Sequence, residues 1–64
     1  MATNYAAAPI VQDVLKMAEK HNKSIGPKRR ALKRQISAAI ASMSAKYAEA
    51  ASREISKRGV VLDT

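Results

Sequence analysis

Five cations stand within seven positions of this chain: Lys28, Arg29, Arg30, Lys33 and Arg34. Guanidinium and ammonium groups at that density do one kind of chemistry well. They neutralise phosphate or carboxylate charge, release its counterions and hold an anionic partner in register without reading its sequence. Lys16, Lys20 and Lys23 stand just upstream, so residues 16–34 carry eight cations against the single acid Glu19. Elsewhere Lys46, Arg53, Lys57 and Arg58 are balanced by Asp13, Glu49, Glu54 and Asp63. The whole net charge of +7 therefore lies in one block, an asymmetry that points to an anionic partner for that region.

Other chemistries lack their side chains. There is no cysteine, and the lone His21 cannot assemble an imidazole cluster, so no metal site is expected. Packing at the edge of an apolar face, or facing a helix end, is the ordinary role for such a histidine. The sequence GPKRR has one glycine and lacks the GxxxxGK pattern of a phosphate loop. No serine sits in a Gly-x-Ser-x-Gly elbow, and Glu49 and Glu54 fall on different helix faces. The expectation is a binding protein without enzymatic activity or cofactor.

The elements that must position the cations are helical. Residues 1–8 are small, polar or alanine-rich and read as a loose arm. Pro9 suits a first helical position, and Ile10, Val11, Val14, Leu15 and Ala18 close into one stripe at 3.6 residues per turn. A first helix is predicted over 9–23, with Asn22 as a left-handed stop. Residues 24–27 form a Gly-Pro turn in which Gly26 or Ser24 can cap a second helix. After Pro27 no glycine or proline occurs before Gly59, so this second helix is predicted as a single long one over 28–58, about 46 Å at 1.5 Å per residue. Gly59 is its expected left-handed end, with Val60 turned back against Ile55. The tail, 59–64, reads as a docked extended segment or a short strand.

This yields an all-α helical hairpin whose arms do not match. A first helix of about 22 Å covers about half of the second. Leu32, Ile36, Ala39, Ile40, Met43, Tyr47 and Ala50 form the apolar face of the long helix, with Ile55 at its edge, while Ala38, Ala41, Ala45, Ala48 and Ser52 belong to a separate small-residue stripe. The 13 alanines bury little area each, and a chain of 64 residues has little core to spare. A second copy or a larger protein assembly is expected to cover the remainder.

Known nucleic-acid layouts fit poorly. A helix-turn-helix has a short second helix in a three-helix core, whereas this second helix reads as long and no third is evident. A basic region running into a dimerising helix describes bZIP proteins, but apolar steps of 4, 3, 4, 4, 3 make no leucine heptad. Tyr5 and Tyr47 are the only aromatics, so base stacking is not expected. Membrane-surface binding is disfavoured because the first helix has no Trp or Phe anchor. No run of about 18 apolar residues is present, and MATNYAAAPI lacks the basic start and apolar centre of a signal peptide. The expected setting is the cell interior, cytoplasmic or nucleoid-associated, or a virion.

Two functions are expected on these grounds. The first is a small basic protein making sequence-independent contacts to the DNA or RNA backbone through Lys28, Arg29, Arg30, Lys33 and Arg34, with Lys16, Lys20 and Lys23 adding field. The second is a structural or adaptor subunit of a larger particle, docking through the long Ala/Ser-rich helix.

Overall fold

A computed structural model of the chain describes residues 4–62, and the expectations for 1–3 and 63–64 lie outside the described residues. Among the described residues all regular structure is helical, with no strand. A 3-10 turn, Tyr5–Ala7, precedes three α-helices: α1 (Pro9–Lys23), α2 (Gly26–Ala41) and α3 (Ala45–Lys57).

In α1, the extended backbone of Ala8 (φ −63°, ψ 141°) is the conformation that a following proline favours, and Pro9 takes the first turn, where a missing N–H costs nothing. Val11, Val14, Leu15, Ala18 and His21 are buried at three- and four-residue steps. Asn22 does not stop the helix in a left-handed conformation. Positive φ occurs only at Gly26 (63°) and Gly59 (80°) among the described residues, and Ser24 closes α1 by donating from Oγ to the Lys20 carbonyl at 2.7 Å.

The single long helix expected over 28–58 is instead two helices, broken at Ser42-Met43-Ser44. Ser42 donates from Oγ to the Ala39 carbonyl at 2.9 Å, and Ser44 turns extended (φ −67°, ψ 158°). Serine hydroxyls compete with the helical backbone in this way, so the break needs neither glycine nor proline. The gain is burial: Ala51 and Ile55 of α3 are fully covered by the chain's own core. The geometric reason for requiring a second copy, an uncovered half of one helix, therefore falls away.

α1 is the central element, packing on both α2 and α3, which touch each other least. Tyr5 meets Tyr47 edge-on, with ring centroids 5.1 Å apart, and Asn22 donates to the Arg58 carbonyl at 2.8 Å. These contacts, before the start of α1 and at its end, set α3 alongside α1 in the same direction. Residues 5–8 are consequently not a loose arm: Tyr5 packs on α3, Lys46 Nζ lies 5.9 Å from its ring centre, and Gln12 donates to the Ala6 carbonyl at 2.7 Å. The core contains Val11, Val14, Leu15, Ala18, Ile36, Ala51, Ile55 and Val60, flanked by partly buried Met17, Ala39, Ile40, Met43 and Tyr47.

This packing redistributes the residues expected to form an interface. Ile36 and Ile55 are interior, and Leu32, Ile40, Met43 and Tyr47 are half-buried. The small-residue stripe is split by the break, with Ala41 and Ala45 exposed and Ala48 half-buried.

α3 ends in a Schellman motif. Gly59 N–H donates to the Ser56 carbonyl and Val60 N–H to the Ile55 carbonyl, each at 3.0 Å, and Val60 enters the core beside Ile55. The tail to Leu62 forms no strand; Leu62 packs against the core and Val61 is exposed. A Cβ at Gly59 would touch nothing within 4 Å, so a substitution there is resisted by backbone conformation alone. Gly59→Ala is expected to cost about 1–2 kcal/mol, lowering Tm by about 4–16 °C for a domain of this size. Thermal unfolding followed by circular dichroism measures it, and an unchanged Tm would mean the turn relaxes.

Candidate nucleic-acid interface

The cations meet because two helix ends and a short link share one end of the molecule. Only Ser24 and Ile25 separate α1 from α2, so Lys20 and Lys23 of α1 lie close to Lys28, Arg29 and Arg30 of α2. Left-handed Gly26 followed by Pro27 fixes the direction of the second helix. Its first turn has no acidic residue and no side-chain cap, so open N–H groups add to the positive field of the helix end.

A chain of hydrogen bonds ties the three helices together here. Arg29 Nε donates to His21 Nε2 at 3.4 Å, a long bond, and His21 Nδ1 lies 3.0 Å from Asn22 Oδ1. A neutral histidine with its proton on Nδ1 satisfies both contacts. Asn22 Nδ2 then reaches the Arg58 carbonyl on the last turn of α3. His21 is 4% exposed and has both ring nitrogens occupied, so it holds the three helix ends together.

The eight candidates do not form a single face. Lys16 and Lys20 are exposed on the side of α1 turned away from its buried stripe, and Lys23 lies on the same side one turn on. Lys28 is exposed at the start of α2, and Arg29 turns toward His21. Arg30, Lys33 and Arg34 run together along the flank of α2 that faces Leu62. Lys33 is half-buried and already engaged, whereas Arg30 and Arg34 are exposed.

Two cations absent from the predicted set join this end. Lys57 and Arg58 close α3, where Glu54 accepts from Lys57 Nζ at 3.0 Å and lies 3.5 Å from Arg58 Nη1. By charge counting they cancelled against Glu54 and the other acids outside residues 16–34. Gly59 marks Arg58 as a helix end, but which end of the molecule it reaches depends on the turn at 42–44.

The hydrogen bond from Lys57 holds the Glu54 carboxyl below its ordinary value of 4.5; partial burial opposes this, and the charges of Lys57 and Arg58 reinforce it. A carboxylate depressed in the folded state contributes stability that is present above its unfolded pKa and lost as pH falls through the folded one. Glu54→Gln is thus expected to lower Tm at about pH 6 and to match the parent by about pH 2–3. A gap that persists in acid would mean that the charge of Glu54 is not what stabilises α3.

Among the described residues, no group of three or more His, Cys, Asp or Glu comes together, and no helix is long and apolar enough to cross a membrane. The arrangement offers dense positive charge and directed N–H donors at one three-helix end. No family model, no curated protein and no solved structure matches the chain.

Proposed function

We propose that this protein binds nucleic acid through backbone phosphates, with little dependence on base sequence and without catalysing a reaction. The observation that carries this reading is the convergence of Lys20, Lys23, Lys28, Arg29 and Arg30 with Lys57 and Arg58 at the end where all three helices are pinned by His21 and Asn22. Such clustering, set against the positive end of α2, makes the unliganded state electrostatically uncomfortable. An anion bearing many regularly spaced charges relieves it.

The three-helix core removes the grounds on which a helix-turn-helix was excluded. Even so, α3 is poorly suited to base reading: Tyr47 in its first turn is covered by Tyr5, and Glu49 on its outer face is paired with Arg53 at 3.1 Å. Backbone contact by the opposite end is the better fit. This mode requires no second copy, although a homo-oligomer or a nucleoprotein particle would multiply the contacts.

The test is affinity of the purified chain for two DNA duplexes of unrelated sequence and for an RNA duplex. Affinities for the two DNAs within about threefold of each other are expected. Strong preference for one DNA sequence, or no binding to any of the three, would overturn the reading.

A further inference from the structure

We propose that the groove between α2 and α3 is a docking site for an acidic amphipathic helix of a protein partner. The groove exists because α2 and α3 both pack on α1 and present small side chains toward each other. Ser37 and Ala41 face Ser52 and Ser56 and leave a cavity of about 410 Å³ floored by Ile40 and Ile55. Val60 to Leu62 crosses its edge. A second cavity of about 280 Å³, walled by Arg30, Lys33 and Arg34, shares Ser37 and Leu62 with the first. The two therefore adjoin at these residues, one mainly apolar and the other walled by cations. Both are open to solvent.

Charge complementarity selects the occupant. Arg30 and Arg34 call for carboxylates, and the apolar part calls for aliphatic side chains one or two helical turns away, which together describe one face of an acidic amphipathic helix. An open groove between two helices accepts such a segment more readily than it encloses a small molecule. Nucleic acid fits the cationic part only, since phosphates gain nothing beside Ile40 and Ile55. A second copy of this chain brings the same net charge of +7, and its Glu49 and Glu54 are already ion-paired.

The experiment titrates the full chain against a fluorescein-labelled peptide of about 16 residues with leucines on one helical face and glutamates beside them. A scrambled peptide of the same composition and a polyglutamate of equal length are the controls. The designed peptide is expected to bind at least about tenfold tighter than either control. Ser37→Trp, which fills the point shared by both cavities, is expected to weaken it at least about tenfold, and Lys16→Ala less than about twofold. Equal binding of the scrambled peptide or of polyglutamate would reduce the effect to charge and overturn the proposal. Normal peptide binding by Ser37→Trp would also overturn it, provided circular dichroism shows that the variant is folded. Self-association that Ser37→Trp abolishes would make a second copy the occupant and overturn it too. Duplex binding is measured on the same variant. Ser37→Trp is expected to leave it intact, which separates this proposal from the phosphate-binding one, and its loss would assign the groove to nucleic acid.

Discussion

Ile36→Ala is expected to leave most of the protein unfolded at 37 °C. Ile36 is 0% exposed and, with Ile55 of α3, is the largest of the fully buried side chains, in a core that it shares with Val14 and Leu15 of α1. Truncating a buried isoleucine to alanine costs about 2–5 kcal/mol, through lost transfer energy and the cavity left behind. A chain of this length, with no disulfide and no metal cluster among its described residues, holds only about 3–5 kcal/mol in reserve. The loss is thus comparable with the whole. Ile36→Val removes one methylene and is expected to cost about 0.5–1.5 kcal/mol and stay folded. Ile25→Ala, at a position 84% exposed, is expected to change stability by less than about 0.5 kcal/mol. Urea unfolding followed by circular dichroism separates the three. An Ile36→Ala variant as stable as the parent would mean that the core is not where the three helices meet.

How much of the fold was legible in the sequence depended on how local the signal was. Pro9, the stripe from Val11 to Ala18, and the Gly59–Val60 turn are each decided within a few residues, and their sequence readings correspond to what the fold shows. The break at 42–44 was not legible, because Ser-Met-Ser is compatible with a helix and only the burial of Ala51 and Ile55 against α1 decides against continuing it. Everything that rested on one long helix went with it: the uncovered half, the continuous small-residue stripe, and the exclusion of a three-helix core. The cation cluster of α2 could be located from sequence alone. Its connection to Arg58 through Asn22 could not, since those residues are 36 positions apart.

The largest expected functional effect belongs to the triple variant Lys28→Ala, Arg29→Ala, Arg30→Ala. All three side chains are exposed, so their removal leaves the core untouched, with only the long Arg29–His21 bond lost. Each cation that neutralises one phosphate contributes about 0.9 to the slope of log K against log salt. Losing three is expected to flatten that slope by about 2.7 and to weaken duplex binding by about 10- to 100-fold at low salt. The loss should be similar for unrelated sequences, because phosphates carry no base identity. Glu54→Gln is expected to act in the other direction, tightening binding by about two- to threefold as Lys57 and Arg58 are freed for one more phosphate. Unchanged affinity in the triple variant, with circular dichroism showing it folded, would place the contact elsewhere.

The most direct test of phosphate binding at the three-helix end is a salt series on the unmodified protein with a random-sequence DNA duplex. The account predicts binding at low salt whose log K falls linearly with log salt, with a slope of about −4.5 or steeper for five or more phosphates neutralised. Absence of binding at low salt, or an affinity indifferent to salt, would contradict it.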